Sequence, residues 1–255
     1  MQKLKITGTQ NNLIKDIVKL HMPKYRKEKH LVFIDGEKSV DGLIDDGFEI
    51  EYLFTKDDDK YSNCKTVKNL VIVNDEILKK ISTTKSPSPV AAVIKEPCVD
   101  KCEFFKYSKI ALIDGIKDAG NLGTIIRSAA AFSIDGIILF NDCVDLYNTK
   151  TIRASAQNLF KIPVVVTSDI NFIKELKKTH KLISTVVNSK NNFNNYKFEN
   201  NFILALGSEA EGISKEILDV SDDTLTIELD RNVESSNLGV CASICFALIK
   251  NKTNL

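Results

Sequence analysis

The second half of this 255-residue chain alternates short, continuously apolar runs with longer amphipathic ones, and that alternation limits the fold more than any other feature. The apolar runs are IALID (110–114), GIILF (136–140), PVVV (163–166), KLISTVV (181–187), FILALG (202–207) and LTIEL (225–229). Each has the length of a strand. Helical patterns fall between them at 121–132, 151–158, 169–179 and 213–219, with a last one at 236–250. Strands that are apolar along their whole length must be buried on both faces, so an α/β fold with a parallel sheet covered by helices is predicted. Such sheets bind ligands outside the carboxyl ends of their strands. The loops after residues 114, 187, 207 and 229 are therefore the places to look for chemistry.

The first part reads as a smaller, mixed α/β unit. Short apolar runs at 31–36, 51–54, 70–73 and 90–94 are strand candidates, with helical stretches at 37–46 and 75–81. Leu13, Ile14, Ile17, Val18 and Leu20 form a helical stripe, with Lys15 and Lys19 on the other side. Four of the five prolines precede residue 98, and three lie in SPSPVAAVIKEP (86–97), which marks an irregular connection. The division predicted is a domain at 1–97, a linker at 98–107 and a second domain at 108–255.

Composition excludes several classes. At 43% apolar residues, with 13 Phe, the chain can build real cores and is neither disordered nor collagenous. The longest apolar run, Cys241 to Ile249 with one Ser, falls short of the roughly 20 residues of a membrane helix. The N-terminal MQKLKITGTQNNL has no apolar signal core, so a cytoplasmic protein is expected, its six cysteines being thiols. Cys98 and Cys102, like Cys241 and Cys245, are four apart rather than C-x-x-C, and no metal site is expected. Net charge is +1, but residues 1–30 hold eight Lys/Arg against two Asp/Glu, a local +6, and residues 31–60 three against ten, a local −7. A basic head of this kind can face phosphates even in a neutral chain.

Three strand-end loops are unusual. In DGIKDAGNLGTIIRSAAAF (114–132), Gly120 and Gly123 bracket Asn121, which is predicted to cap the following helix. Arg127 lies inside that helix, where a planar fork can clamp a phosphate or carboxylate; a surface ion pair is the plainer alternative. In LGSEAEGIS (206–214), Gly207 and Gly212 flank Glu209 and Glu211. This is no Walker loop, and the chain lacks G-x-G-x-x-G and G-x-S-x-G. An acidic glycine-rich loop suits a cationic or hydroxyl-bearing ligand. In TIELDRNVESSNLGVCASICFALI (226–249), Glu234, Ser235, Ser236 and Asn237 precede a small, apolar helix and form a good capping cluster.

Taken together, N-L-G-T-I-I-R-S-A, L-G-S-E-A-E-G and V-E-S-S-N-L-G-V resemble, in order and spacing, the three motifs of the SpoU/TrmH family of RNA ribose 2′-O-methyltransferases. TIRASAQNLFKIPV (151–164) resembles the R-A-S-A-G-A-x-F stretch of the same family, so the likeness spans roughly 108–252. ITGTQNNLIKDIVKL (6–20), KYRKEKHLVFIDGEK (24–38) and TTKSPSPVAAVI (83–94) resemble the substrate-binding domain that often precedes it, a small ribosomal-protein-like α/β unit that helps hold RNA.

The resemblance implies a SPOUT fold, a parallel-sheet domain whose C-terminal part is threaded into a deep trefoil knot. It implies a homodimer, with the helix at 236–250 (Val240, Ile244, Ala247, Leu248) in the dimer face. S-adenosylmethionine is the implied cofactor, held by Thr185, Leu206, Gly207, Ile227, Leu229, Ser236 and Leu238. The implied catalytic set is Arg127, Asn121, Glu209, Ser235 and Asn237, with Arg127 clamping the phosphate beside the target ribose. RNA, ribosomal more than transfer RNA, would meet Lys15, Lys19, Tyr25, Arg26, Lys27 and Arg153, with Lys24, Lys29 and His30 beside them. The chain departs from the family pattern at Ala119, where Pro is commoner, at Gln157, where Gly is usual, at Glu228, and at Ser236. Two other functions fit less of this set: a catalytically inactive RNA-binding module in ribosome assembly, and a knotted methyltransferase acting on a tRNA base.

Overall fold

The computed structural model describes residues 1–57, 59–227 and 237–253. The chain divides into two compact units, one of Met1–Pro97 with Tyr147–Ile152, the other of Cys98–Leu146 with Arg153–Leu255.

In the first unit β1 (Gln2–Lys5), β2 (Leu31–Asp35), β3 (Ile50–Thr55), β4 (Val67–Ile72) and β5 (Val90–Lys95) form a sheet in the order β1-β4-β3-β5-β2. The β1–β4 and β3–β4 pairs are parallel, whereas β5 runs antiparallel to both its neighbours. Helix α1 (Asn12–Lys19) starts where the Asn11 side chain accepts from the Leu13 amide, and it buries Ile14 and Ile17. Helix α2 (Pro23–Lys29) begins on a proline and ends at His30 in the left-handed region. It has no apolar stripe and is not foreseen from periodicity. Neither is β1, whose QKLK carries one apolar residue. Helices α3 (Glu37–Asp45) and α4 (Asp75–Ile81) match the expected stretches closely. Phe33, Phe54, Val71, Ile77 and Ile81 close the core against α1.

The second unit is the site-bearing one. Strands β6 (Lys109–Asp114), β7 (Gly136–Phe140), β8 (Val164–Thr167), β9 (Lys181–Thr185), β10 (Phe202–Gly207) and β11 (Asp223–Leu225) pair in the order β11-β9-β10-β6-β7-β8. Every pairing in this sheet is parallel. The continuous apolar runs foretold that arrangement. Helices α5 (Ala119–Ala131), α7 (Ile170–Leu176), α8 (Lys215–Leu218) and α9 (Leu238–Thr253) accompany the strands, and α6 (Thr149–Ala154) is divided, Thr149–Ile152 being counted with the first unit and the rest with the second. Phe104, Ile110, Leu112, Phe140, Ile173, Leu182, Ile203 and Ile217 are among the buried side chains of the core. No helix among the described residues is long and apolar enough to cross a membrane.

Strand order fixes where a ligand can sit. From β6 the chain moves outward through β7 and β8, whereas from β10 it moves the other way, past β9 to β11. The loops after β6 and β10 therefore leave neighbouring strands in opposite directions, which opens a crevice at that switch point. Two expectations shift. The run at 181–187 leaves the sheet at Thr185, and β11 spans Asp223–Leu225, beginning before the expected 225–229, of which 228 and 229 lie outside the described residues.

The short turn after α6 carries consecutive left-handed residues, Ala156 (φ 47°) and Gln157 (φ 71°). A side chain in that region costs about 1–2 kcal/mol, and glycine removes that cost while adding about 0.5–1 kcal/mol of backbone entropy. Gln157→Gly is expected to stabilise the protein by about 0.5–1 kcal/mol. A denaturation midpoint that falls, or does not move, would contradict this account of the turn.

Candidate active site

The loop after β6 shows how the first motif works locally. Asp118, not Asn121, caps α5: its side chain accepts from the Asn121 backbone amide at 2.8 Å. Both residue types suit the position, but the helix starts two residues before Asn121, at Ala119. The capping duty falls to Asp118, and the Asn121 side chain is released to the site. Its Nδ2 donates to Glu209 Oε1 at 2.5 Å, and its Oδ1 accepts from Asn237 Nδ2 at 3.0 Å.

These bonds have a fixed polarity. A carboxylate only accepts, so the Asn121 NH2 must face Glu209 and its carbonyl must face Asn237. Asn237 then presents its NH2 to Asn121 and its Oδ1 to the Val240 amide, 3.2 Å away in the first turn of α9. Glu209 Oε1 also accepts from the Leu238 amide at 3.3 Å. One side chain from each motif thus joins a single relay that runs from an acidic loop to a helix N-terminus, where negative charge is favoured.

Glu209 is held by the loop after β10. Ser208 and Gly212 exchange backbone bonds, N to O, at 3.1 and 2.9 Å, and the Glu211 amide donates to Ser208 Oγ at 3.2 Å. Gly212 takes φ +67°, which suits glycine. At Gly207 the constraint is space, because a Cβ there would lie 2.0 Å from the Gly212 carbonyl carbon and 2.2 Å from the Ile213 amide. Lys117, in the neighbouring loop, donates to the Asp142 carboxylate and backbone oxygen, both at 2.6 Å. That pairing raises the Lys117 ammonium above its ordinary range and lowers Asp142.

Helices α5 and α9 lie against each other. Ser128 and Ser243 share a hydrogen bond at 2.6 Å, and Lys250 Nζ donates to the Ala131 carbonyl at 3.3 Å. Gly239 meets Thr124 closely, since a Cβ there would lie 3.3 Å from two Thr124 side-chain carbons. Arg127 is six residues beyond Asn121, roughly 9 Å along the helix axis. It is exposed and has no hydrogen bond or ion pair among the described residues.

Of the residues assigned to the cofactor, Thr185, Leu206, Gly207 and Ile227 lie at or just beyond the ends of β9, β10 and β11, and Leu238 opens α9. Leu206 and Leu238 are buried, so they can offer backbone groups only. Thr185 Oγ1 is spent on the Ala205 carbonyl at 3.0 Å. Ile227 is half-buried, and Leu229, Ser235, Ser236 and Glu228 lie outside the described residues. Sequence reading missed Val187, placed inside the expected strand. It stands 76% exposed beyond the end of β9, its carbonyl accepting from Thr226 Oγ1 at 2.8 Å. An apolar surface, side-chain-free Gly207 and free strand-end backbone fit a flat aromatic base with a polar tail.

The assigned RNA contacts divide. In the first unit Lys15, Lys24 and Lys27 are exposed. Arg26 is corrected: it is 4% exposed, and its Nη1 donates to the Leu20 carbonyl at 2.6 Å, satisfying the end of α1. Lys19 pairs with Asp16 at 2.9 Å, and Lys19 and Lys29 flank the half-buried Tyr25 ring at 5.5 and 5.6 Å. In the second unit Arg153 is exposed on α6.

The parallel sheet with reversed strand order thus carries an Asn–Glu–Asn relay at a strand-end crevice, with the exposed Arg127 without a side-chain partner among the described residues. Over 100% of its length the chain is similar to an AdoMet-bound rRNA methyltransferase from Sinorhizobium meliloti, covering 99% of that chain with a TM-score of 0.88 and 22% identity. The AdoMet complex of the SpoU methyltransferase AviRb from Streptomyces viridochromogenes gives a TM-score of 0.87 over 96% of this chain and 99% of that one, at 20% identity. At these identities the likeness is one of fold.

Sequence supplies the family. Residues 108–247 match the SpoU rRNA methylase family, and the chain belongs to it; residues 11–92 match the MRM3-like substrate binding domain. The chain is also similar to 23S rRNA (guanosine(2553)-2′-O)-methyltransferase RlmP of Bacillus subtilis, with 29% identity over 241 residues, 94% of this chain and 96% of that protein.

Proposed function

We propose that this protein methylates a ribose 2′-hydroxyl of RNA, ribosomal RNA first, using S-adenosylmethionine. The observation that carries this reading is the Asn121–Glu209–Asn237 relay, with Arg127 exposed further along the helix that carries Asn121. When bound, S-adenosylmethionine supplies an electrophilic methyl group: the ribose oxygen gains the methyl carbon, the sulfonium loses it, and the hydroxyl proton leaves to solvent or a base. The chain's own task is to position and polarise the hydroxyl, a poor nucleophile when free. Gly207, Leu206, Thr185, Ile227 and Leu238 would hold the cofactor, with Val187 under its base. Glu209 has one oxygen committed to the relay, which leaves Oε2 to accept from a hydroxyl or cationic group. Arg127 clamps the phosphate beside the target ribose, lowering the barrier through a preorganised positive charge.

The remaining assignments belong to the same reading. Residues 1–97 form the RNA-binding domain, with Lys15, Lys24 and Lys27 toward phosphates, joined by the linker at 98–107 to the methyltransferase domain at 108–255. A trefoil knot in the second domain is supported by its topology. The chain must return from β11 at one edge of the sheet to lay α9 on α5, and Lys252 Nζ then donates to the carbonyls of Phe193, Asn194 and Tyr196 between β9 and β10. A homodimer is supported by Val240 and Ile244, 50% and 42% exposed one turn apart on α9, and a cytoplasmic location belongs to the same reading.

The test is to incubate the purified protein with S-adenosylmethionine and ribosomal RNA from a strain lacking it, then digest to nucleosides for mass spectrometry. A new 2′-O-methylnucleoside is expected. A methylated base instead would transfer the reading to base chemistry, and cofactor binding by calorimetry without any product would leave an RNA-binding module.

A further inference from the structure

We infer that Asp114 is a positioning residue that holds the Glu209 loop in register with Asn121 for methyl transfer; this rests on the function proposed above. Asp114 ends β6 at the switch point, with Gly207 and Phe140 as its register partners on either side. It is 3% exposed. Its Oδ1 accepts from Asn141 Nδ2 at 2.9 Å, and its Oδ2 accepts from the Ser214 amide at 2.8 Å. Asn141 follows β7 with φ 63°, its amide donating to the Thr167 carbonyl at 3.1 Å. Ser214 is the last residue before α8. One buried carboxylate therefore fastens the exits of three adjacent strands.

The geometry places that fastening under the relay. The acidic loop leaves the sheet at Gly207, level with Asp114, and returns at Ser214 to the Asp114 side chain. Glu209 lies between those two anchors. Asn121 follows Asp114 by seven residues in the same loop and helix start, so both ends of the 2.5 Å Asn121–Glu209 bond are referred to one residue. Burying a carboxylate is costly unless both oxygens find donors, and here each has a neutral one. Asparagine can keep both links only if the Asn141 amide turns over to present its oxygen. Alanine keeps neither.

The cofactor-facing backbone is secured separately. Leu206 and Gly207 pair with Ile113 and Asp114 through main-chain bonds that a side-chain change does not remove. Loss of the Asp114 carboxylate should loosen the far end of the loop, hence Glu209, while sparing that backbone. A residue of merely structural importance would weaken both together.

The experiment compares the full chain with Asp114→Ala, Asp114→Asn and Asn141→Ala. Three readouts are taken: methyl transfer to RNA at saturating S-adenosylmethionine, the cofactor Kd by calorimetry, and hydrogen exchange of the amides at 208–214. Asp114→Ala is expected to slow transfer by about tenfold or more with Kd changed by less than about twofold, and to speed exchange across the loop. Asp114→Asn should recover the rate to within about threefold of the parent. Rate and exchange left unchanged by Asp114→Ala, affinity and rate lost in proportion, or Asn no better than Ala would each overturn the inference. If Asp114→Ala does not fold, Asn141→Ala, which removes one link and keeps the other, must show a smaller slowing at unchanged Kd, and an unchanged rate overturns it. If the parent itself transfers no methyl group to RNA, the functional reading fails, and the exchange measurement still decides what Asp114 holds.

Discussion

Replacing Gly207 with alanine is expected to lower S-adenosylmethionine affinity by roughly a hundredfold or more and to take methyl transfer with it. The added methyl would sit 2.0, 2.2 and 2.3 Å from Gly212 C, Ile213 N and Gly212 O. All three are backbone atoms, with no flexible side chain to swing aside. The Ser208–Gly212 bridge must open, and Glu209 moves with it. Overpacking of this kind costs about 1–3 kcal/mol, and a loop is cheaper to displace than a strand, so the strain falls on the loop. The sheet should survive, with a modest fall in Tm. Gly212 offers the contrast: nothing lies within 4 Å of a Cβ there, and its φ of +67° is the sole objection to a side chain. Gly212→Ala should therefore keep much more cofactor affinity than Gly207→Ala. Calorimetric titration of both variants decides it, and Gly207→Ala binding within about threefold of the parent would refute the close-packed loop as cofactor cradle.

The sequence told apart what the sheet buries from what its loops carry, because the two obey different constraints. Strands such as GIILF and FILALG are buried on both faces and read directly as parallel. Their order does not follow from any pattern: β10 lies beside β6, although three strands intervene in the chain. That long-range choice creates the switch point, and with it the meeting of Asn121, Glu209 and Asn237. Motif resemblance grouped those three residues; periodicity could not have done so.

Local errors have local causes. Asn121 and Asp118 are both competent caps, and only the actual start of α5 decides between them. Arg26 sits in a run of lysines and reads as solvent-facing. Its buried partner is a carbonyl at the end of α1, a helix terminus that needs a donor, and nothing in the spacing of Leu20 and Arg26 announces it. Asp114 reads only as the last residue of the strand candidate 110–114, since burial of a strand-end carboxylate depends on Asn141 and Ser214, distant in sequence. Val187 was absorbed into an apolar run, although the strand releases it to solvent two residues early.

Arg127→Lys is the second large effect. It should lower methyl transfer by about a hundredfold or more at unchanged Tm and cofactor affinity. Arg127 is exposed, and among the described residues it supports no helix, loop or ion pair. An unchanged Tm and an unchanged cofactor Kd in the variant would assign the deficit to the reaction. Lysine keeps the positive charge and most of the reach, but it replaces a planar fork of five donors by a compact ammonium that cannot grip two phosphate oxygens in fixed directions. If charge alone mattered, Lys would retain most of the rate and Ala would not. If Arg127 removed the hydroxyl proton, the deficit of the Lys variant would shrink as pH rises, because lysine gives up its own proton at lower pH than arginine and so supplies more free base. A clamp predicts a deficit that is the same across pH and is deepened only modestly by Ala. Measuring single-turnover transfer for Arg, Lys and Ala at several pH values separates the three, and a Lys variant near the parental rate would end the clamp.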